Sequence, residues 1–122
     1  MGRYIGFSLE PEGESLVVFR AGGLDYTYGR YLEEHLPTFS FDERTKEITT
    51  DYIRHYFLED LEEELQLTLS NILLDFTKKD FDNTLMLDNF DTYKSLCQIK
   101  GMIATLLEIA EANNNKLYVT YG

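Results

Sequence analysis

The residues with the clearest chemical potential are carboxylates. The 122-residue chain contains 22 aspartates and glutamates against 11 lysines and arginines, a net charge of −11. Paired carboxylates can act as general acid and base, but among so many a suitable spacing arises by chance. The densest run, EDLEEE, contains Glu59, Asp60, Glu62, Glu63 and Glu64. We expect this run to form a solvated helix face, and the alternative is an acidic patch for a basic partner.

A second acidic stretch, DFDNTLMLDNFD over 80–91, approaches the ligand spacing of a twelve-residue calcium loop. Its sixth position is Leu85, where the sharp turn of such a loop requires glycine. Its last position is Asp91, which reaches less far than the usual bidentate glutamate. We therefore predict an acidic connection between two helices over 80–90 and no metal site.

Histidine and cysteine are too sparse to build a metal centre. His35 and His55 are the only histidines, and neither has a second histidine at a ligand interval. We expect His55 to pair with Glu59 one helical turn later. Cys97 is the only cysteine, and we expect it to be buried as a small hydrophobic residue. No phosphate-binding glycine loop or nucleophile elbow occurs, so the sequence predicts no enzyme, no metal and no cofactor.

Composition limits the classes of partner. The chain lacks the clustered lysines and arginines that bind nucleic acid directly, and no stretch approaches the roughly 18 apolar residues of a membrane span. Its start does not resemble a signal peptide, and one cysteine allows no intrachain disulfide. We expect one domain spanning 1–122, without direct nucleic-acid or membrane binding, in a reducing compartment.

Strand patterns dominate the first half of the chain. Segments 3–9 and 15–20 are rich in β-branched and aromatic residues and flank EPEGE, which predicts a β-hairpin. Residues 25–36 favour a short helix that ends before Pro37. Alternation at Phe39 and Phe41, followed by Ile48, predicts a second, smaller hairpin over 38–49.

The second half is predicted to be helical. One helix begins with Thr50 as N-cap and continues to about Lys79. Its apolar stripe comprises Leu58, Leu61, Leu65, Leu69, Ile72 and Phe76. Another runs from about Asp91 to Ala112 and ends at the asparagines 113–115, and KLYVTY over 116–121 forms a last strand that could join the hairpin. The predicted fold is α+β, with a small antiparallel sheet of N-terminal hairpin and C-terminal strand packed on two long helices.

Both long helices are apolar on more than one side. On the first, Tyr56, Leu67 and Leu74 lie nearly opposite the main stripe, and on the second Met102 and Ile109 point away from the core face. That core face comprises Leu96, Ile99, Ile103, Leu106 and Ala110. A chain of this length has few elements to cover two sides of two helices. The pattern predicts an interface with another protein, as a homo-oligomer or in a larger assembly.

Gly101 raises a question, because glycine within a helix costs about 1 kcal/mol relative to alanine. With Cys97 and Ala104 it forms a line of small residues that allows another backbone to approach closely. We expect the long helix of the same chain to lie against this line, and the alternative is a partner chain.

The helix over 91–111 resembles one found in short proteins of tailed bacteriophages, often encoded near head and tail genes. The matching positions are Tyr93, Gln98, Ile99, Gly101, Leu106, Leu107 and Glu108. The resemblance implies an accessory or virion protein, located in the host cytoplasm or the virion, and supplies no active site. We predict a non-enzymatic assembly subunit that acts through its helices. The alternative is an acidic inhibitor, such as an immunity or anti-defence protein, that binds a basic nucleic-acid enzyme.

Overall fold

A computed structural model of the chain describes residues 3–21, 27–77 and 83–122. Four strands and five helical segments follow one another along these residues. They are β1 (Arg3–Ser8), β2 (Val17–Ala21), α1 (Thr27–His35), β3 (Thr45–Thr49), α2 (Thr50–Tyr52), a π-helical segment (Ile53–Glu59), α3 (Asp60–Thr77), α4 (Asn83–Ala112) and β4 (Lys116–Tyr121). The α+β class is confirmed.

The four strands form one antiparallel sheet in the order β2-β1-β4-β3. Phe7 of β1 lies opposite Val17 of β2 and Val119 of β4, so alternate residues of neighbouring strands face the same side. The predicted N-terminal hairpin is confirmed, and the C-terminal strand joins it by pairing with β1.

The second predicted hairpin, over 38–49, is wrong. Only Thr45–Thr49 forms a strand, and it pairs with β4 rather than with a neighbour in sequence. Phe39 stacks on Tyr121, with ring centroids 5.9 Å apart, whereas Phe41 is fully exposed in a turn. The alternation of Phe39 and Phe41 therefore does not mark a strand, because one residue makes a tertiary contact and the other is exposed.

The long helix begins one residue earlier than predicted. Thr49 is the N-cap, and its side-chain oxygen accepts a hydrogen bond from the backbone N–H of Tyr52 at 3.2 Å. The π-helical segment then adds a residue to the turn and shifts the helix faces. As a result Ile53 and Phe57 are fully buried, while Leu58 is only partly buried.

Farther along the helix the predicted stripe is only partly buried. Leu61, Leu65 and Ile72 are buried, but Leu69 is 42% exposed. The side chain of Phe76, like the helix end at Lys79, lies outside the described residues. The reason for the exposure of Leu69 is that the connected core ends near Leu65.

The last helix begins at Asn83, not near Asp91, so the predicted connection over 80–90 is wrong for residues 83–90. No glycine or proline interrupts those residues, and α-helix replaces the turns that a calcium loop would need. The helix ends as predicted, since Asn114 and Asn115 take the left-handed conformation with φ of 56° and 63°. The start of that stretch, Asp80 and Asp82, lies outside the described residues.

The core lies between the inner face of the sheet and the near ends of α3 and α4. All five residues of the predicted core face of α4 are buried there, against strand residues such as Leu117 and Val119. Beyond Leu65 on α3 and Leu96 on α4, buried residues become rare. The two helices continue for about 12 residues each, or roughly 18 Å at 1.5 Å per residue. We call this extension the projecting hairpin (residues 66–77 and 83–95).

No helix of the described residues has both the length and the hydrophobicity needed to cross a membrane.

Candidate functional site

The acidic run of α3 is exposed, as predicted for a solvated helix face. Leu61, inside the run, is buried, whereas Glu59, Asp60 and the glutamates 62–64 face solvent. The predicted pair of His55 and Glu59 is confirmed at 2.9 Å. Glu63 and Glu64 form no ion pair with any described residue.

Part of this run borders an open groove between the end of α1 and the start of α3. The groove has a volume of about 580 Å³ and is lined by His35, Asp60, Glu63, Glu64, Gln66, Leu67 and Ser70. Nε2 of His35 lies 3.5 Å from a carboxylate oxygen of Asp60. The structure therefore brings three residues of the predicted acidic patch to one place and puts Leu67, predicted as an interface residue, beside them.

His35 is held in this groove by backbone and ring contacts. Its Nδ1 lies 2.7 Å from the carbonyl oxygen of Tyr31 and donates to it, because a carbonyl can only accept. The imidazole stacks on the Tyr31 ring with centroids 4.1 Å apart. These contacts orient Nε2 of His35 toward Asp60. Because Tyr31 is buried in the core, it also holds the imidazole side of the groove in a fixed orientation.

Two tyrosine hydroxyls join α1 to the long helix. Tyr31 is buried and donates to the carbonyl oxygen of Phe57 in the π-helical segment at 2.7 Å. Tyr52 donates to the carbonyl oxygen of His35 at 2.7 Å. Burial raises the pKa of Tyr31, and the nearby carboxylates of Glu64 and Asp60 raise it further. Burial also raises the pKa of Tyr52, to about 12.

We expect the free energy of unfolding to fall as the pH rises above about 10. The unfolded chain releases tyrosine protons there, whereas folded Tyr31 and Tyr52 retain theirs, so the native state binds more protons than the unfolded state. This contribution is complete below about pH 10 and is lost as the pH approaches the folded values. Urea unfolding followed by circular dichroism at a series of alkaline pH values measures the slope.

Tyr31→Phe and Tyr52→Phe should each reduce this alkaline slope, because each removes one shifted proton. Tyr31→Phe should also cost about 1 to 2 kcal/mol at neutral pH, since it leaves the buried carbonyl of Phe57 without its donor. Tyr4→Phe, on the exposed face of β1, is the control. An unchanged slope in both buried-tyrosine variants would contradict the assignment.

The second surface is the projecting hairpin, which exposes large apolar side chains on both helices. Leu67 is 69% exposed, Leu73 and Leu74 are each 58% exposed, and Leu87 on α4 is 60% exposed. Tyr56, at the other end of the long helix, is also exposed, and its ring lies tilted against Tyr52 with centroids 4.5 Å apart. Thus the described structure leaves the predicted interface residues Tyr56, Leu67 and Leu74 open to solvent.

The third surface is the line of small residues on α4, and here two predictions are wrong. A Cβ added to Gly101 would meet no atom within 4 Å, and Ala104 is exposed. Cys97 is exposed rather than buried. The expected neighbour, the long helix of the same chain, contacts α4 elsewhere, for example through the ion pair of Glu62 with Lys100. Among the described residues nothing covers this line.

Met102 and Ile109, which the pattern places off the core face of α4, are partly buried and pack against the edge of the core. Their part in an interface stays a prediction. Several elements contact α4, among them α3, the π-helical segment, α1 and β4, so its covered arc extends past the five core-face residues.

Sequence reasoning missed Leu73, Leu87 and Phe90 as exposed apolar residues, and it placed Leu69 in the core. Helical periodicity assigns a residue to a face, but it gives no indication of where a helix extends past its core. The available signal was composition, because residues 66–77 include only one charged residue.

No three histidine, cysteine, aspartate or glutamate side chains within the described ranges lie close enough together to hold a metal ion. Comparison with protein-family models, with curated proteins and with solved structures finds no match to this chain.

Proposed function

We propose that this protein is a non-enzymatic assembly or accessory subunit that binds another protein chain through its projecting hairpin. The observation that carries the proposal is the exposure of four leucines, Leu67, Leu73, Leu74 and Leu87, on a hairpin that extends past the core. The resemblance of residues 91–111 to a helix of tailed-phage proteins supports an accessory or virion role, in the host cytoplasm or the virion.

Energetics favour a partner for this hairpin. Burying one exposed leucine side chain stabilises a complex by about 2 kcal/mol, so several such residues give a substantial driving force. Among the described residues no other element buries these leucines, since the core ends near Leu65 on α3 and Leu96 on α4. Exposed apolar surface of this kind, on a segment that extends past the core, is typical of protein interaction sites.

The proposal is tested by substituting the leucines on one side of α3. Leu67→Glu combined with Leu74→Glu should leave the fold intact, because both side chains face solvent, and should weaken binding to the partner chain. Leu16→Glu, in the loop before β2, is the matched control, because Leu16 is also about half exposed. Sedimentation velocity and stoichiometric recovery of a complex from the native cells are the measurements. A strictly monomeric chain that recovers no partner contradicts the proposal.

The acidic groove favours a second candidate function, an inhibitor that binds a basic nucleic-acid enzyme. Glu63 and Glu64 form no ion pair with a described lysine, arginine or histidine, and they line the same groove as Asp60. After burial, the carboxylates of Glu64 and Asp60 are the largest causes of the raised pKa of Tyr31, which is consistent with a negative potential at this site. Such a surface accelerates association with a basic partner, and added salt screens the effect.

Charge reversal separates the two functions. Glu63→Lys and Glu64→Lys together should abolish inhibition of a susceptible enzyme from a panel of purified basic nucleases, and wild-type association should slow steeply with salt. An assembly subunit should retain its complex under the same changes, because neither residue belongs to the Glu62–Lys100 ion pair. Glu12→Lys and Glu14→Lys, in the exposed loop after β1, form the control. Salt-insensitive binding would exclude the inhibitor.

A further inference from the structure

The side of the helical layer that faces away from the sheet exposes apolar and small side chains, with Lys94 and Glu108 seven residues before and after Gly101 on α4. Gly101 lies about 200° around α4 from both Ile99 and Ile103, which point into the core. Cys97 and Ala104 share its side of the helix. The ion pair of Lys100 with Glu62 crosses to α3 on this side, at 3.9 Å.

Two contacts fix the register of α3 against α4. Besides the Glu62–Lys100 pair, the side-chain amide of Asn89 donates to Asp75 at 2.9 Å near the far end. With this antiparallel register, Leu69 is level with Tyr93 and Leu73 with Phe90. We call the resulting surface the outer face. It comprises Leu69, Leu73, Phe90, Tyr93, Cys97, Gly101 and Ala104.

We propose that the occupant of the outer face is a second copy of this chain, docked about a two-fold axis so that two helical hairpins form a four-helix bundle. The inference rests on the proposed assembly function and names the partner for one side of the hairpin. In a two-fold interface the same surface serves both copies and must therefore be complementary to itself.

Charge is the first argument for a second copy. Two chains that each carry −11 repel, so they can meet closely only where carboxylates are few or balanced. Along residues 66–77 the single charged residue is Asp75, which is buried and bonded to Asn89. On the outer face Glu62 is offset by Lys100. A basic partner would find little charge to recognise here, whereas the acidic groove offers it on another side of α3.

Shape is the second argument. A shallow groove of about 240 Å³ separates α3 and α4 on this face, and Leu69, Tyr93 and Lys100 are among the residues that line it. Leu73 projects beside the groove and is more than half exposed. Because the side chains at Cys97, Gly101 and Ala104 are small, a partner helix can approach the backbone of α4 closely. Each copy therefore presents both a ridge and a depression.

Sedimentation velocity and native mass spectrometry of the full chain test the proposal. We expect a concentration-dependent dimer, and Leu69→Glu with Leu73→Glu should raise its dissociation constant at least about a hundredfold. Leu16→Glu, in the loop before β2 and about half exposed, should leave the dimer unchanged. Circular dichroism establishes that both variants remain folded.

Cross-linking gives an independent measurement, because the native Cys97 lies on the outer face and is exposed. A short bis-maleimide should join two copies through Cys97. A chain with Cys97→Ser and Ser70→Cys, which carries its only thiol on the other side of α3, should remain unlinked.

Three results would overturn the inference: a monomer at all concentrations, a dimer lost only with the Leu67 and Leu74 changes, or cross-linking only from position 70. Failure of the proposed function is distinguishable from these. A monomer that still recovers a stoichiometric partner, lost when Leu67 and Leu74 are changed, overturns the dimer and leaves the assembly function standing.

Discussion

Phe57→Ala should lower the free energy of unfolding by about 4 kcal/mol. Phe57 is fully buried and lies in the π-helical segment, where the long helix contacts both α1 and α4. Its ring packs edge-on against Tyr52, with centroids 5.6 Å apart. Removing the ring leaves a cavity at the centre of the core, and large-to-small changes at such sites are among the costliest substitutions.

The carbonyl of Phe57 makes the effect larger than a simple cavity. It accepts the Tyr31 hydroxyl, so any relaxation of the backbone into the cavity weakens the contact that attaches α1. Phe41→Ala is the matched control, because Phe41 is fully exposed and its loss should change the unfolding free energy by less than about 0.5 kcal/mol. Urea unfolding followed by circular dichroism measures both. Equal effects for the two variants would show that the core is not where the structure places it.

The elements with strong local signals could be predicted from the sequence. The EPEGE turn between two β-rich segments specified the first hairpin, and three consecutive asparagines specified the end of α4. The core face of α4 followed directly from its 3.6-residue period, and all five of its residues are buried.

Long-range effects could not be predicted in the same way. The π-helical segment has no sequence signature, yet it replaces Leu58 with Phe57 as the fully buried residue of its turn. The second hairpin failed because Phe39 is satisfied by Tyr121, 82 positions later in the chain. Propensity over a short window does not contain that contact.

The same distinction between local and long-range effects applies to the candidate surfaces. Exposure of Leu67, Leu74 and the acidic run followed from their position opposite the core stripe. Exposure of Cys97 and Gly101 did not, because it depends on which side of α4 the long helix occupies. A pattern of small residues indicates that close packing is possible, but only the tertiary arrangement determines whether a neighbour of the same chain provides it.

Gly29→Ala should lower the free energy of unfolding by about 3 kcal/mol, although alanine is the better helix former. Gly29 lies in α1 where the helix crosses β2, and an added Cβ would overlap the carbonyl oxygen of Arg20 and lie 2.6 Å from its carbonyl carbon. Both atoms belong to the backbone, so no side-chain rotation relieves the overlap. Either α1 or the strand must shift, and the contacts that tie α1 to the core weaken with it.

Gly101→Ala provides the opposite case. It distinguishes the steric effect of an added Cβ from its effect on helix propensity. It is the same chemical change within a helix, but nothing lies within 4 Å of the added Cβ. We expect a gain of about 1 kcal/mol from helix propensity, measured by urea unfolding at a protein concentration where the chain is monomeric. The two substitutions should therefore differ by about 4 kcal/mol in effect. A stabilising Gly29→Ala would place α1 away from β2, and a destabilising Gly101→Ala would reveal a neighbour for α4 within the monomer. The contrast follows from position alone. On an open helix face a glycine only lowers helix stability, whereas at a point where another backbone crosses the helix no larger residue fits.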